Sequence, residues 1–327
     1  MTTVPVGQVL PVRERWAGLL AGARPRVLLT DGADARAVEA AGRLAAEGLV
    51  LPRLVAQADE LEMALAQAGS SLGTDFAVTP EQLLELDGVA DHLRGCTTLG
   101  ERVPGLVAAA AALAQGHADA VVAGATCPTA DVLRAGLKVV GLAPGVTTLS
   151  SCFLMLLPDG RAMTFSDCGV VPLPDREQLA QIAVAAAGTH RQLTGVEPRV
   201  AMLSFSTHGS AAHDRVELVR AATSRARELA PGLTIDGELQ LDAAIVESVA
   251  RSKAPRSPVQ GAADVLVFPS LEAGNIGYKL TERLAGATAL GPVLQGLARP
   301  LNDLSRGCSV EDIATMALLS AVQSLSA

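Results

Sequence analysis

The chain has 327 residues, 49% of them hydrophobic, and a formal net charge of -8 at pH 7. This length suits about two domains, and the apolar fraction is enough to build a core in each. The acidic balance and an aromatic content of 2% argue against a nucleic-acid-binding surface, because such surfaces are basic and stack bases on aromatic rings.

The cysteines, histidines and hydropathy indicate the cellular setting. Five cysteines occur without paired spacing, which predicts reduced thiols rather than a disulfide framework or a zinc ribbon. His208 and His213 lack ligand spacing to carboxylates, so no metal site is expected. The start of the chain lacks a secretory signal pattern, and no apolar run reaches the ~18 residues of a membrane span. We therefore expect a soluble, cytoplasmic protein with neither membrane nor nucleic-acid partners.

Short apolar runs alternate with longer helical segments in the first half of the chain. Such alternation is typical of a parallel sheet whose strands are joined by crossover helices. The predicted elements are a weak helix at 12–21, a strand at 26–30, a helix at 34–47 ended by Gly48, a strand at 49–56, a helix at 98–115, a strand at 118–123 and a helix at 129–140.

A predicted antiparallel hairpin at 146–167 interrupts this alternation. Its two apolar segments flank Pro158-Asp159-Gly160, a strong turn sequence. After it the alternation resumes, with helices at 175–193, 211–229, 241–251 and 272–285, strands at 199–204, 264–268 and 288–294, and a last helix at 309–325.

We interpret the hairpin as the passage between two lobes. The expected fold class is α/β, with two α/β lobes and a central cleft. The first lobe is predicted to span residues 1–148 and to be joined by the C-terminal helix 309–327. The second lobe is predicted to span residues 149–308.

The run GPVLQGLARPLNDLSRGCSVEDI, at 291–313, carries the strongest chemical indication. It places Ser305, Arg306 and Asp312 within eight residues, around a glycine and a predicted helix start. A hydroxyl, a guanidinium and a carboxylate that close together suit a reacting acyl or phosphoryl group. Structural roles are the alternative: Ser309 and Asp312 match a helix cap, and Arg306 matches a surface ion pair.

Three other regions carry candidate binding residues. The loop and helix at 124–138 offer Arg134 and Thr129, and Thr129 is placed to cap the helix. A loop between strand and helix is where α/β lobes usually hold ligands. The loop in LSFSTHGSA, at 203–211, offers hydroxyls and amides suited to phosphate oxygens, although an ordinary strand-to-helix turn explains it equally well. The candidates in this loop are Ser206, Thr207, Gly209 and Ser210, and those predicted to line the cleft are Glu238, Asp242, Glu272, Asn275 and Lys279.

These motifs together resemble the phosphate acetyltransferase family, within the phosphate acetyl/butyryltransferase group. The resemblance covers about residues 120–323 and rests on long motifs in the same order. They are GATCPTADVLR, FSDCGVVPLP, LSFSTHGSA, DGELQLDAAI, the run KAPRSPVQGAADVLVFPSLEAGNIGYKL at 253–280 and the run at 291–313. The segment RVLLTDGADAR, at 26–36, is similar to the family's opening strand and turn.

The resemblance implies a fold, an activity and residue roles. It implies two α/β lobes related to isocitrate and isopropylmalate dehydrogenases, a homodimer, and reversible acetyl transfer between coenzyme A and phosphate. Acetyl-CoA and acetyl phosphate are then the other partners, and since coenzyme A is a substrate, no cofactor is expected. By motif, Asp312 corresponds to the base for the coenzyme A thiol, Arg306 to the arginine that binds phosphate oxygens, and Ser305 to the hydroxyl that stabilises the oxyanion. Arg134 corresponds to a second substrate-binding arginine.

The chain differs from the family pattern at two places. His208 stands where the family usually has a lysine. The family's basic tyrosine-arginine-lysine-histidine-lysine stretch is replaced by DHLRGCTTLG, at 91–100. In that segment Arg94 is the counterpart of the arginine that contacts coenzyme A. Cys308 lies inside the C-terminal motif, but the family does not use it as a nucleophile.

Other functions remain open on the sequence alone. One alternative is a phosphate butyryltransferase, which would differ from an acetyltransferase in the volume of its acyl pocket. Another is a sensor, like the domains fused to some malic enzymes, which would bind acetyl-CoA without catalysing a reaction. A metal-dependent dehydrogenase is the third alternative. The presence of Ser305, Arg306 and Asp312 favours the enzyme over the sensor.

Overall fold

The computed structural model describes residues 6–70, 72–73, 76–96 and 104–325, with side chains from Val12 onward. The chain divides into two compact units. The flanking unit combines Arg13–Gly145 with Leu297–Ala327. The middle unit consists of Val146–Gly296 together with the residues up to Val12.

Strands and helices alternate along most of the described chain. The strands are β1 (Arg26–Leu29), β2 (Leu51–Val55), β3 (Ala77–Val78), β4 (Ala120–Ala123), β5 (Ser150–Leu156), β6 (Ala162–Ser166), β7 (Arg199–Leu203), β8 (Thr234–Leu239), β9 (Val265–Val267), β10 (Thr288–Gln295) and β11 (Leu301–Asp303). The helices are α1 (Val6–Leu20), α2 (Ala35–Glu47), α3 (Ala58–Ala68), α4 (Pro80–Leu84), α5 (Val89–Gly95), α6 (Pro104–Ala114), α7 (Thr129–Ala135), which a π-helical turn (Gly136–Val140) extends, α8 (Arg176–Thr194), α9 (Asp214–Leu229), α10 (Leu241–Ile245), α11 (Glu247–Lys253), α12 (Leu271–Ala285) and α13 (Val310–Ser324).

The flanking unit is built on a five-stranded sheet in the order β11-β4-β1-β2-β3. All its pairings are parallel, as the strand–helix alternation predicts. Asp303 at the end of β11 pairs with Ala123 at the end of β4, and Leu29 at the end of β1 pairs with Val122. The carboxyl ends of these three strands therefore meet at one edge, where open α/β sheets hold ligands.

Two apolar helices cover this sheet. Helix α6 buries a run of alanines, and α13 buries every residue from Ile313 to Val322. Helices with so little polar surface are covered on more than one side. The first turn of α13 remains polar, and it follows directly on the loop after β11.

The middle unit is built on a six-stranded sheet in the order β10-β5-β6-β9-β7-β8. Strands β5 and β6 pair antiparallel on either side of Pro158-Asp159-Gly160, so the predicted hairpin is confirmed. From β6 through β9 and β7 to β8 the pairings are parallel. The loops that follow β7 and β8 therefore lie at the same edge of this sheet.

Local sequence determines where several helices begin and end. Asp34 caps α2 by accepting a hydrogen bond from the Arg36 amide (2.8 Å). Gly48 ends the same helix with a φ of 68°, a left-handed conformation that glycine adopts without steric cost. These two residues explain why the predicted helix at 34–47 agrees with α2 to within one residue.

Three helix predictions need correction or lie partly outside the described residues. The predicted helix 129–140 is α7 followed by the π-helical turn, and its N-cap is Pro128 rather than Thr129. The predicted helix 241–251 is divided into α10 and α11 by Val246, whose backbone is extended. The predicted helix 98–115 starts among residues that the structure does not describe, and α6 is its described part.

Some elements have no clear sequence pattern. Asp236-Gly237 is typical of a turn, yet Gly237 lies inside β8. A Cβ at this position would be 2.5 Å from the Cβ of Met202, so the close packing there requires glycine. Strand β11 has only three residues and pairs with β4. The middle unit consequently ends at Gly296, whereas the predicted second lobe ends at 308. Helices α3 to α5 and strand β3 are also absent from the prediction.

Candidate active site

A buried carboxylate joins the loops that follow β1 and β4. Asp31 follows β1 and is 5% exposed. It accepts hydrogen bonds from the amides of Ala125 (3.1 Å) and Thr126 (2.9 Å) and from the Thr126 hydroxyl. Three donors compensate for removing this carboxylate from water. The loop after β4 is thereby fixed at the sheet edge.

Arg36, in the first turn of α2, connects this edge to the loop after β11. Its guanidinium donates to the carbonyl oxygens of Arg306 (3.1 Å) and Cys308 (2.7 Å). Two further bonds, of 3.0 and 2.7 Å, reach the Asp34 carboxylate. The bond from Arg36 holds the pKa of Asp34 below its usual range, and the same bond raises the pKa of Arg36. Because a guanidinium directs its donors in a rigid plane, the backbone at 306–308 is fixed relative to α2.

The loop at 305–307 presents polar groups to solvent. Ser305, Arg306 and Gly307 are all exposed. The Arg306 guanidinium forms no hydrogen bond or ion pair with the described part of the chain. The Ser305 hydroxyl accepts a bond from the Gly307 amide (3.3 Å), which leaves its own proton available. An unpaired guanidinium beside a hydroxyl suits the oxygens of a small anion.

Cys308 follows this loop and is 6% exposed. Burial raises the pKa of the Cys308 thiol to about 11, although the neighbouring Arg36 acts in the opposite direction. The thiolate is the reactive form of cysteine. At neutral pH this thiol is therefore protonated and a poor nucleophile.

Asp312 lies in the first turn of α13 and forms a capping box with Ser309. Its Oδ2 accepts hydrogen bonds from the Ser309 amide (2.8 Å) and hydroxyl (2.9 Å), and the Asp312 amide donates to Ser309 Oγ (3.2 Å). The predicted cap is thus confirmed. The side chain is exposed, and no described residue donates to its Oδ1.

Asp303, at the end of β11, is the most buried carboxyl in this region, with 2% exposure. Its Oδ2 accepts a hydrogen bond from the Thr129 hydroxyl (2.6 Å), while Oδ1 has no partner among the described residues. Burial raises the pKa of Asp303 to about 6. The Thr129 hydroxyl and the Leu304 amide oppose this rise, and the charge of Asp31 adds to it. Thr129 therefore holds a strand end and is not the helix cap.

The other two candidate arginines of the flanking unit are ion-paired. Arg134, on α7, pairs with Asp131 one turn earlier. Arg94, on α5, pairs with Asp91, and its side chain is 72% exposed. Ion pairs of this kind are weak in water, so a ligand anion can compete for either guanidinium. Residues 97–100 of the divergent segment lie outside the described residues.

In the middle unit, the loop after β7 surrounds a carboxylate of the protein itself. Glu238, on β8, is 1% exposed. It accepts hydrogen bonds from the Ser206 hydroxyl, the Gly209 amide and Arg220 Nε, each at 2.8 Å. Burial alone would raise the pKa of Glu238, but the Arg220 pair and the two other donors outweigh it and bring the pKa to about 2. Two predicted substrate donors, Ser206 and Gly209, are therefore directed at Glu238.

The rest of this loop is partly internal as well. Thr207 is buried, and its amide donates to the Ser210 hydroxyl (3.0 Å). The Thr207 hydroxyl accepts a bond from the Gln240 amide (2.9 Å). His208 has a φ of 44°, and its Nε2 lies 3.0 Å from an oxygen of Asp236. Ser210 is exposed and is the hydroxyl of this loop that reaches solvent.

Helix α12 carries the two remaining candidates. Asn275 donates from Nδ2 to the carbonyl oxygen of Cys168 (3.2 Å). Lys279 is exposed, and its Nζ lies 5.8 Å from the centre of the Tyr278 ring. Asn275 thus connects α12 to the loop after β6, while the ammonium of Lys279 remains open to solvent.

The candidate residues divide between the two units. Asp312, Arg306, Ser305, Thr129, Arg134 and Arg94 belong to the flanking unit. Those of the middle unit are Ser206, Thr207, Gly209, Ser210, Asn275 and Lys279. Within the described ranges, no group of three or more His, Cys, Asp or Glu side chains is placed to hold a metal ion. No described helix is long and apolar enough to cross a membrane.

Comparison with known proteins decides the family. The sequence profile of the family described as "Phosphate acetyl/butaryl transferase" matches residues 12–321. The chain belongs to this family. The phosphate acetyltransferase of Thermoanaerobacterium thermosaccharolyticum is 43% identical over 92% of this chain and 95% of its own length. That of Paracoccus denitrificans is 44% identical over 91% of this chain and 94% of its own length. The predicted family and the acyltransferase class of enzyme are confirmed.

Solved structures agree with the fold of the phosphate acetyl/butyryltransferase family. A phosphotransacetylase from Streptococcus pyogenes has a TM-score of 0.90 at 36% identity, covering 98% of this chain and 99% of its own. A 4-hydroxythreonine-4-phosphate dehydrogenase from Burkholderia phymatum has a TM-score of 0.52 at 17% identity, covering 90% and 98%. The second likeness concerns the fold alone, and it confirms the expected dehydrogenase-like α/β class.

Four residues that shape the site of this family member are absent from the sequence candidates. Asp31, Asp34 and Arg36 lie in RVLLTDGADAR, and the likeness of that segment to the family's opening turn was the available signal. Asp303 lies two residues before Ser305 in the C-terminal run. Because β11 is so short, nothing in the pattern marks Asp303 as a buried strand end.

Proposed function

We propose that the chain is a phosphate acetyltransferase, which transfers an acetyl group reversibly between coenzyme A and inorganic phosphate. The observation that carries this proposal is the loop at 305–307. It presents an exposed hydroxyl and a guanidinium that has no partner among the described residues, on a backbone fixed by Arg36, and Asp312 follows at the start of α13. Membership of the family and the names of its relatives support the same reaction.

In the direction of acetyl-CoA formation, the coenzyme A thiol attacks the carbonyl carbon of acetyl phosphate. A thiol of this kind has a pKa of about 8.5 and is mostly protonated near neutral pH. Asp312 takes the proton through its free Oδ1 as the carbon–sulfur bond forms, a contribution of typically ~10²–10⁴-fold. The carbon–oxygen bond to phosphate then breaks, and phosphate leaves with the bonding electrons.

Ser305 and Arg306 stabilise the charge that develops during this transfer. The Ser305 hydroxyl donates to the carbonyl oxygen as it becomes negative, and Arg306 binds phosphate oxygens through two N–H groups. Because Arg36 holds the loop in advance, little reorganisation accompanies the reaction. Cys308 takes no covalent part, since its raised pKa keeps it protonated. Direct transfer between two bound substrates needs no acyl-enzyme.

The remaining candidates are proposed to bind the substrates. Arg134 supplies a second anion contact, Thr129 supports the same end of α7, and Arg94 contacts coenzyme A. The middle-unit candidates are Ser206, Thr207, Gly209, Ser210, Asn275 and Lys279. Exposure of Ser210 and Lys279 supports direct contact, whereas the burial of Ser206 and Thr207 supports a role in holding the loop. We propose no cofactor beyond the substrates.

We propose acetyl as the acyl group because the relatives named above are phosphate acetyltransferases. A phosphate butyryltransferase would use the same loop with a larger acyl pocket. A sensor would bind acetyl-CoA without turnover, and the exposed Asp312 carboxylate close in sequence to the exposed Arg306 guanidinium favours the enzyme. These alternatives differ in one assay, described below.

We further propose that the protein is a cytoplasmic homodimer. Helix α12 exposes Ile276, Leu280 and Leu284 by 57%, 51% and 80%. Their spacing of four places them on one face of the helix, and a two-fold contact between copies would cover that face. We expect a dimer in sedimentation velocity that dissociates in the double variant Leu280→Glu, Leu284→Glu. A dimer that persists in this variant would place the contact elsewhere.

The function is tested by thioester formation from coenzyme A with acetyl phosphate or butyryl phosphate. Wild type, Arg306→Ala and Asp312→Asn are compared. We expect fast acetyl transfer in the wild type and a loss of about 10²-fold or more in each variant. Faster transfer of butyryl would identify the butyryltransferase, and acetyl-CoA binding without turnover of either donor would identify the sensor.

A further inference from the structure

A buried carboxyl with one unsatisfied oxygen lies three residues before Arg306. Asp303 is 2% exposed, and its Oδ1 has no hydrogen-bond partner among the described residues. Buried polar atoms without a partner are uncommon in folded proteins, and each calls for an explanation. The proposed reaction does not use Asp303. Its place at the carboxyl end of β11, directly before the loop at 305–307, suggests a connection with that loop.

The backbone around Oδ1 is closely packed. A Cβ on Gly124 would lie 2.3 Å from Oδ1 and 2.8 Å from the Leu304 nitrogen and oxygen, so the two backbones are in close contact. The Leu304 amide is directed at the carbonyl oxygen of Ala123 (2.7 Å). It lowers the pKa of the Asp303 carboxyl without satisfying Oδ1. Uptake of a proton would neutralise this carboxyl without any rearrangement of the Leu304–Ala123 bond.

The charges near Asp303 decide which group takes the proton. Asp31 faces it across the sheet edge, but Asp31 accepts three hydrogen bonds that stabilise its charge. Cys127, after β4, is neutral because burial raises its pKa to about 12. Of two nearby carboxyls in unequal surroundings, the less satisfied one binds the proton. The other titratable groups on the elements packed against β11 all bond elsewhere: Asp131 and Arg134 on α7, and Glu311 and Asp312 on α13.

We propose that Asp303 takes up a proton from solvent when an anion binds at the loop 305–307, so that binding of phosphate or acyl phosphate is coupled to proton uptake. This inference rests on the proposed function, because it takes that loop as the anion site. Three residues of chain span at most about 11 Å between Cα atoms. Asp303 and Arg306 are therefore neighbours, and a charged Asp303 repels an anion bound by Arg306. By linkage, anion binding favours protonation, and protonation favours anion binding to the same extent.

The coupling acts at mildly acidic pH. The pKa of Asp303, about 6, means that below this pH the carboxyl is neutral and no longer opposes the attraction of the anion to Arg306. Above it the carboxylate is charged, and anion binding weakens. Phosphate itself titrates near this range, so sulfate, which keeps its charge from pH 5 to 8, is the better probe.

The test is isothermal titration calorimetry of the full chain with sodium sulfate at pH 5.5 and 7.5, in two buffers that differ in ionisation enthalpy. In the wild type we expect sulfate to bind about tenfold more weakly at pH 7.5, with net proton uptake near the midpoint. Asp303→Asn keeps an oxygen that accepts from Thr129 but cannot titrate. We expect it to show neither the change in affinity nor the proton uptake.

Two further variants make the result specific. Arg306→Ala should abolish the proton-linked sulfate binding, which places the probe at the loop. Thr129→Val removes a donor that lowers the pKa of Asp303, so the proton uptake should move to higher pH. This shift keeps the inference testable should Asp303→Asn fold poorly, and an unshifted profile would contradict it.

The outcomes separate the two proposals. Equal pH dependence of sulfate binding in the wild type and Asp303→Asn overturns the coupling, even where acetyl transfer is normal. Proton-linked sulfate binding that is lost in Asp303→Asn supports the coupling, even where acetyl transfer is absent and the proposed function fails.

Discussion

Two loops of this molecule offer similar chemistry and use it differently. The loop at 305–307 and the loop at 206–210 each follow a parallel strand, and each provides at least one hydroxyl, a glycine amide and a basic side chain. In the first, Arg306 has no partner in the described part of the chain and Ser305 keeps its proton free. In the second, the Ser206 hydroxyl and the Gly209 amide are directed at the Glu238 carboxylate. An anion site needs donors that the protein leaves unsatisfied. The presence of suitable residue types in a strand-to-helix loop is therefore not enough to identify such a site.

The difference comes from how each loop is held. Arg36 fixes the first loop through the carbonyl oxygens of Arg306 and Cys308, so the side chains remain available. Glu238 fixes the second loop by accepting hydrogen bonds from the Ser206 hydroxyl and the Gly209 amide, so these two donors are not available to a ligand. When a cation such as Arg36 binds the carbonyl oxygens of a loop, the donors of that loop stay available to an anion. When a carboxylate such as Glu238 binds the donors of a loop, it takes the place that an anion would occupy.

The largest effect is expected from removing the Arg306 guanidinium of the first loop. Arg306→Ala should lower kcat/KM for acetyl transfer by about 10²–10³-fold, since it removes stabilisation of transition-state charge. The melting temperature should not change, because the guanidinium has no partner among the described residues. Steady-state kinetics and thermal unfolding check both parts. Arg220→Ala, by contrast, leaves the buried Glu238 without its ion-pair partner, and we expect a clear loss of stability.

A second comparison separates the two roles of Asp312. In Asp312→Asn an oxygen still accepts from Ser309 and the cap survives, but the base is lost, so kcat should fall about 10²-fold. Ser309→Ala removes the cap and should cost about 1 kcal/mol of stability. Kinetics and urea unfolding of both variants provide the measurement. Equal effects of the two substitutions on kcat would mean that Asp312 acts through the helix start alone.

In the second loop, the expected effect is that of the Glu238 carboxylate on the stability of the protein. Glu238→Gln is expected to lower the free energy of unfolding by about 2–3 kcal/mol at pH 7, since it breaks a buried, fully bonded pair. The folded pKa of about 2 lies below the ordinary 4.5, so the contribution is complete above about pH 4.5 and is lost as pH falls towards 2. Urea unfolding from pH 7 to 3 checks this. The wild type should lose more stability than the variant, and parallel curves would contradict the assignment.

The sequence pattern predicts much of the fold because the local signals are strong. Asp34 and Gly48 mark the ends of α2, Pro158-Asp159-Gly160 marks the hairpin, and alternating apolar runs mark the parallel strands. Strands β8 and β11 escape prediction for tertiary reasons. Gly237 is needed for close packing on Met202 rather than for a turn, and three residues carry too little periodicity to indicate a strand.

The site is only partly predictable for a similar reason. Ser305, Arg306 and Asp312 are close in sequence, so their pattern is visible in one segment. Asp31, Arg36 and Asp303 act through partners 94 to 272 residues away in the chain. Such contacts arise from the parallel register of β1, β4 and β11, which spacing along the chain does not reveal.

The smallest effect is expected at Cys308, which lies in the first loop's motif yet contributes no donor to the proposed anion site. If its thiol is inert because burial raises its pKa to about 11, Cys308→Ala should keep kcat within about threefold of the wild type. A thiol-selective reagent should label Cys308 slowly at pH 7 and faster as pH rises towards that pKa. Fast labelling at pH 7, or loss of turnover in the alanine variant, would show that the cysteine is reactive and that the first loop carries a nucleophile as well as an anion site.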